Sequence, residues 1–282
     1  MVYIFSNNEQ RLTNNHYFYT MDLDLRDKQA IVCGSTQGIG KASAIELALL
    51  GASVTLIARN EEKLKETLTE LDQSQGQQHN YVVADFSQPE VLQAKIAQYI
   101  LQKPAVHILV NNTGGPAGGP ILEASLQDFT RAISNHLLCN HILAQAVVPL
   151  MQKARYGRII NIISTSVKQP IPGLGVSNTT RGAVANWAKT LSYEVACLGI
   201  TVNNILPGAT VTARHTSLIN TRAEKTGQTV AAIEADMLKG IPAGRFGAAE
   251  EVAAAVAFLA SPAAAYINGV SIQVDGGRVT TH

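Results

Sequence analysis

Ala30-Ile-Val-Cys33-Gly34-Ser35-Thr36-Gln37-Gly38-Ile39-Gly40 is the stretch that decides the fold. Four apolar residues run into a turn carrying glycines at 34, 38 and 40, and an apolar helical spacing follows over 39–50. Glycines at a strand-to-helix turn let the backbone approach a pyrophosphate. The helix behind them offers free N–H groups and the positive end of its dipole. Alone, such a turn is only a tight turn. Placed after a strand, before a helix and at the start of a βαβ unit, it predicts a nucleotide cradle.

The rhythm continues outward from that turn. Short β-branched runs predict strands at 30–33, 54–58, 81–84, 108–111, 158–163, 201–205 and 270–274. Helical patterns fall between them at 39–50, 61–71, 91–102, 126–151, 178–197 and 249–260. This alternation predicts a single doubly wound α/β Rossmann domain over 21–282, with a seven-stranded parallel sheet and helices on both faces. The segment 212–247 breaks the rhythm. It is long and polar and follows a strand end, where open α/β sheets bind ligands, so it is expected to be a lid over substrate or else a surface helix pair. Residues 1–20 lack apolar periodicity and the pattern of a signal peptide, and are expected to be a loosely ordered appendage.

Composition narrows the function. Hydrophobic residues make up 46% of the 282 and charged ones 15%, with a net charge of +1, which fits a well-buried core and argues against a nucleic-acid surface. Cys33, Cys139 and Cys197 are dispersed, without metal-ligand spacing, as expected of reduced thiols in the cytoplasm and of a chain without a metal site. No apolar run has the length of about 18 residues that a membrane span needs.

The Gly34-x-x-x-Gly38-x-Gly40 spacing resembles that of the short-chain dehydrogenase/reductase superfamily, and the likeness runs from about Leu25 to Gly277. Asn111-Asn112-Thr113-Gly114 resembles that family's Asn-Asn-Ala-Gly, with Thr113 departing from it. Pro207-Gly208 with Thr212 resembles its element closing over the nicotinamide half. The segments from Ile241 to Gly247 and from Val274 to Gly277 are similar to its C-terminal signature. The resemblance implies that Gly34, Ser35, Thr36, Gln37, Gly38, Ile39, Gly40, Asp85, Phe86, Asn112, Gly114, Pro207, Gly208 and Thr212 border a dinucleotide. At the end of the second strand an acid would hold the ribose hydroxyls of NAD. Here Ala58 is followed by Arg59 and Asn60, and a guanidinium can pair with a 2′-phosphate, so NADP(H) is the expected cofactor; the alternative for Arg59 is a solvated residue at a helix start.

The same resemblance implies a catalytic set of Asn, Ser, Tyr and Lys. Asn135 and Ser164 match the first two, but counting forward without a gap puts Ser177 and Arg181 at the Tyr and Lys. These lie one helical turn apart and share a face. Serine is a far weaker acid than a phenol, and arginine holds its proton, so Arg181 can bind a ribose but cannot relay protons. Tyr193 and Tyr156 are expected to be remote. His136 is the one spare titratable group nearby, or else structural. Gly114-Gly-Pro-x-Gly-Gly and Ser177-Asn-Thr-Thr-Arg181 resemble a 3-oxoacyl-carrier-protein reductase-like subgroup with an incomplete set. The expected activity is NADP(H)-dependent oxidoreduction of a small carbonyl or secondary alcohol, by a cytoplasmic homo-oligomer, most simply a tetramer. The alternatives are an NADP(H)-binding sensor or partner subunit, and other chemistry on the same scaffold.

Overall fold

The computed structural model describes residues 21–281. The expected appendage at 1–20 lies outside them. Seven strands form one parallel sheet: β1 (Gln29–Cys33), β2 (Ser53–Ala58), β3 (Asn80–Val83), β4 (Ile108–Asn111), β5 (Gly157–Ile162), β6 (Ile200–Pro207) and β7 (Ser271–Val274). Their order across the sheet is β3-β2-β1-β4-β5-β6-β7. The chain runs outward in one direction from β1 and then returns to start again at β4. The crevice between these two strands is where such sheets receive a nucleotide.

The helices are α1 (Gly38–Leu49), α2 (Glu61–Leu68), α3 (Pro89–Leu101), α4 (Leu126–Ile133), α5 (Cys139–Ala154), α6 (Gly175–Val195), α7 (Ala213–Thr226), α8 (Val230–Lys239) and α9 (Ala249–Ala260). The period-2 alternation of the strands sorts the core into two layers. Ala30, Val32, Ile108 and Val110 pack with Leu47 of α1 and Val252, Val256 and Leu259 of α9. Their neighbours Ile31, Cys33 and Leu109 face the other way, onto Leu92 and Ile96 of α3, Leu143 and Val147 of α5 and Ala188 of α6. Each fully buried aliphatic side chain contributes on the order of 1.5–3 kcal/mol. Both layers are therefore needed to hold the strand ends in place.

Four strands are also joined through side chains. The Asn111 amide donates to Asn161 (2.9 Å), Asn161 to Asn204 (3.0 Å) and Asn204 to the Ser271 hydroxyl (3.2 Å). These residues are direct neighbours in the strand register. The ladder lies on the face carrying α3, α5 and α6, and its Asn111 end leaves one buried oxygen without a donor.

Two expectations need correcting. The single helix expected over 126–151 is interrupted by a π-helical segment at Ser134–Leu138 and then continues to Ala154. α-helical spacing cannot register the extra residue that such a turn absorbs. The strand expected over 158–163 starts at Gly157 and ends at Ile162, so Ser164 stands beyond the sheet. The segment 212–247 holds α7 and α8, packed on each other.

Candidate active site

The nucleotide cradle is built from backbone. Gly34 and Gly38 have φ of +57° and +55°, a left-handed conformation that β-carbons disfavour. A β-carbon at Gly40 would sit 2.2 Å from the Gly34 carbonyl oxygen and 2.6 Å from the Asn112 amide nitrogen. The turn is thus closed onto the helix. The Asn112 amide clamps it, donating to the carbonyls of Cys33 (3.2 Å) and Gly34 (3.3 Å), while the Ser35 hydroxyl donates to Ile57 (3.4 Å). Gln37 precedes α1 without a side-chain capping bond, and the first turn carries no acid. The N–H groups beside Thr36, Gln37, Gly38 and Ile39 are left available for an anion, so the cradle fits a dinucleotide pyrophosphate.

A cavity of about 490 Å³ lies at the ends of β2 and β3, lined by Arg59, Asn60, Asp85, Gln88 and Lys95 among others. Arg59 is exposed and forms no ion pair among the described residues. Asn60 lines the cavity, but its side chain caps α2 by accepting from Lys63 N–H at 3.0 Å. Asp85 closes a tight turn by accepting from Ser87 N–H (2.9 Å). The Phe86 side chain packs into the core layer of α3 and α5, and its carbonyl accepts from the Cys139 thiol at 3.3 Å. Burial pushes that thiol up to about 12. Lys95, which the sequence reading missed, donates to the Val83 carbonyl on the same wall. Its signal was its place on α3, one turn beyond the cavity residue Val91.

On the other side of the crevice, Gly208 is held to β7 through Val274 (2.9 Å), and a β-carbon there would strike Asp275 at 2.7 Å. Pro207 ends β6. Thr212 caps α7 by accepting from His215 N–H (3.2 Å), and its methyl lies 3.1 Å from a β-carbon built on Gly38. Thr212 therefore closes directly on the cradle.

Three of the residues expected to be catalytic, Ser164, Ser177 and Arg181, lie on the segment after β5 and on α6. Ser164 is partly buried and caps the 3₁₀ turn Thr165–Val167, accepting from Ser166 N–H (3.1 Å), which leaves its own proton free to donate. Arg181, 7% exposed, donates to the Ile162 carbonyl at 3.0 Å, so its guanidinium is anchored at the strand end leading to Ser164. Ser177, 9% exposed, lies one turn earlier on the same face of α6. Burial, with Arg214 nearby, pulls Arg181 down to about 10, so it stays charged at neutral pH.

Asn135, expected to anchor a water, has its side chain held by backbone carbonyls. Its amide is engaged by the carbonyls of Phe86 (2.8 Å) and Arg131 (3.3 Å) rather than by Ser164, Ser177 or Arg181. The π segment turns its neighbour His136 inward instead. That imidazole is 3% exposed, with Nδ1 2.6 Å from the Thr113 hydroxyl. Burial first, and then the Arg181 charge, push it down to about 2, so it is neutral. Arg214 of α7 was missed as well. It donates to the Pro116 carbonyl, from 98 residues further along the chain. Both tyrosines are remote. Tyr156 lies under Arg158 and Lys28 at the opposite end of β5, and Tyr193 is 75% exposed.

A second cavity, of about 410 Å³, opens beside this group. It is bounded by the 114–120 segment, Asn135, His136 and Val176, and Gly114 borders open space.

Residues 34–278 match the family model for enoyl-(acyl carrier protein) reductase. The chain is 33% identical to the 3-oxoacyl-[acyl-carrier-protein] reductase of Rickettsia felis over 91% of its length and 99% of that protein's. It is 31% identical to the enzyme of the same name from Chlamydia trachomatis, over 90% and 98%. Among solved structures it resembles L-sorbose reductase from Gluconobacter frateurii complexed with NADPH and L-sorbose (TM-score 0.86, 30% identity, 93% of this chain and 100% of that one). It also resembles YwfH, an NADPH-dependent reductase involved in bacilysin biosynthesis (TM-score 0.84, 30% identity, 90% and 99%). Cradle, sheet order and sequence agree, and the chain belongs to the short-chain dehydrogenase/reductase superfamily.

Proposed function

We propose that the protein is an NADP(H)-dependent oxidoreductase that reduces a carbonyl or oxidises a secondary alcohol, with Ser177 and Arg181 standing where the family's Tyr and Lys stand. The observation carrying this reading is Arg181, anchored on the Ile162 carbonyl beside Ser164 at the open end of the sheet. The structural relatives that carry NADPH support the cofactor, as does Arg59 on the 490 Å³ cavity. NADPH, when bound, supplies the hydride. Ser164 donates a hydrogen bond to the substrate oxygen, and Arg181 stabilises the negative charge that develops there. Water near Ser177 and Asn135 delivers the proton, because His136 is held neutral and Arg181 stays charged. Helices α7 and α8 act as the lid that keeps the site dry.

The test is NADPH oxidation against a panel of ketones, diketones and 3-oxoacyl thioesters. Ser164→Ala should lower turnover by about 10²–10³-fold with nucleotide affinity unchanged. Nucleotide binding without turnover on any panel member would overturn the reading. It would favour the non-catalytic NADP(H)-binding protein, which the neutral His136 and the remote tyrosines support.

The proposal extends to a homotetramer in the cytoplasm. The half-buried apolar side chains of α5 and α6, Val148, Leu150, Trp187 and Leu191, supply the contact faces. Light scattering should return about four times the 30.0 kDa chain mass, and a monomer would refute this.

A further inference from the structure

Arg181 and Arg214 reach the same point from two helices. A β-carbon built on Gly115 would lie 3.4 Å from Arg214 Nη2 and 3.6 Å from Arg181 Nη2. Among the described residues neither guanidinium has an acidic partner. Their bonds are to the backbone carbonyls of Ile162 and Pro116. The Arg181 Nε is buried without any acceptor. Two like charges, one of them 93% out of water by its 7% exposure, repel each other and pay desolvation unless an anion comes between them.

We infer that this pair is the binding site for a carboxylate carried by the substrate itself, so that the substrate is a free 2-oxo or 3-oxo acid (or the matching hydroxy acid). The inference rests on the oxidoreductase reading and deepens it. Gly115, which both guanidiniums flank, lines the 410 Å³ cavity, so the pair stands behind the wall of that cavity at a position without a side chain. The charged groups that line the cavity itself are Glu123, Asp128, Arg131 and Lys225, of which Asp128 and Arg131 pair with each other.

The phosphates of the cofactor are provided for elsewhere. The pyrophosphate has the glycine cradle, and the 2′-phosphate has Arg59 in the other cavity, which shares no lining residue with this one. Arg181 is tied to Ile162, two residues before Ser164, so the bound carboxylate lies close to the reacting carbonyl. This is why the two groups are one or two bonds apart in the proposed substrate. The oxo acid takes up a hydride at its carbonyl carbon and a proton from water at its oxygen. It becomes the hydroxy acid as NADPH is oxidised to NADP⁺.

Two measurements on the NADP(H)-loaded protein decide the matter. The first compares kcat/KM for a 2-oxo and a 3-oxo acid with that for their methyl esters, in the unmodified protein and in Arg214→Gln and Arg214→Lys. The acids should lead by about 10–100-fold, the span expected for one charge-assisted pair. Arg214→Gln should erase the lead, Arg214→Lys should keep part of it, and NADPH affinity should hold within about threefold in both. The second measures binding of the unreactive carboxylate oxamate by quenching of NADPH fluorescence. Oxamate should bind the unmodified protein and be lost in Arg214→Gln, even if no ketone is ever reduced, which separates this site from the proposed reaction. Equal rates for acid and ester together with no oxamate binding would overturn the inference. So would a loss of NADPH affinity in Arg214→Gln as large as the loss of oxo acid, because the guanidinium would then belong to the cofactor.

Discussion

Replacing Gly40 with alanine tests the cradle at its tightest contact. The new methyl would stand 2.2 Å from the Gly34 carbonyl oxygen, 2.8 Å from the Gly34 carbonyl carbon and 2.6 Å from the Asn112 amide. Two of these atoms are backbone, and the third is a side-chain end tied down by two hydrogen bonds. The turn must open by about an ångström, the scale of a van der Waals overlap. The two Asn112 bonds at 3.2 and 3.3 Å then break, at about 1 kcal/mol each. Residual overpacking costs about 1–3 kcal/mol, and the helix preference of alanine returns up to about 1 kcal/mol. The net loss is about 2–4 kcal/mol, which for a chain of this size lowers Tm by roughly 4–16 °C. NADPH affinity should fall at least about tenfold, because the backbone that moves is the one that meets the phosphates. Differential scanning fluorimetry with and without NADPH measures both effects. Gly182→Ala on α6 is the control, since nothing lies within 4 Å of its added carbon, and it should stabilise the fold by about 0.5–1 kcal/mol. A Gly40→Ala protein that melts and binds NADPH as the unmodified one does would refute the reasoning.

Arg59→Ala should remove most of a preference for NADPH over NADH, a loss of about 1.5–3 kcal/mol in fluorescence titration, and equal affinities in the unmodified protein would reject Arg59 as the phosphate clamp. Ser177→Tyr combined with Arg181→Lys should raise reduction of diketones by about 10²–10⁴-fold with NADPH binding retained, and a stable, nucleotide-binding double variant without activity would refute a missing proton donor. His136 is protonated below about pH 6.5 when unfolded but only near 2 when folded, so the unfolded chain holds the extra proton between those values. Stability should therefore fall with decreasing pH in that window by about 1.4 kcal/mol per unit from this residue. His136→Asn should flatten urea-denaturation stabilities between pH 6 and 5 by that amount, and an unchanged slope would refute it.

The reading of the sequence reached as far as local periodicity reaches. The apolar run from Ala30 to Cys33 reads as a strand of a sheet with helices on both faces, and Ala30 and Val32 do enter one core layer while Ile31 and Cys33 enter the other. The glycine turn was legible because φ values that demand glycine leave glycine in the sequence. What the sequence concealed depends on geometry that spacing does not carry. The π segment at Ser134–Leu138 sets His136 inward and spends Asn135 on Phe86, and no α-helical count anticipates that exchange. Arg214 meets Arg181 only because α7 folds back over the 114–120 segment, a tertiary event. Asn60 reads as a residue of the site, while its capping role at α2 is written in the acids that follow it.

The asparagine ladder gives half of the sheet a direction. Every amide in it hands its hydrogen the same way, from Asn111 through Asn161 and Asn204 to Ser271, so the carbonyl dipoles all point back toward β4. Reversing Asn161 alone would set donor against donor toward Asn111 and acceptor against acceptor toward Asn204, so the amides keep or lose their sense together. A slip of one residue in any of these strands would carry its asparagine to the opposite face and cut the chain of amides, which makes the ladder a lock on register that the backbone bonds alone do not provide. The lock is set crosswise to the strands, at the level of the sheet's open end. Its unfilled acceptor on Asn111 lies one residue from the Asn112 that braces the cradle, so the alignment of β4, β5, β6 and β7 and the shape of the nucleotide turn are fixed by adjacent residues.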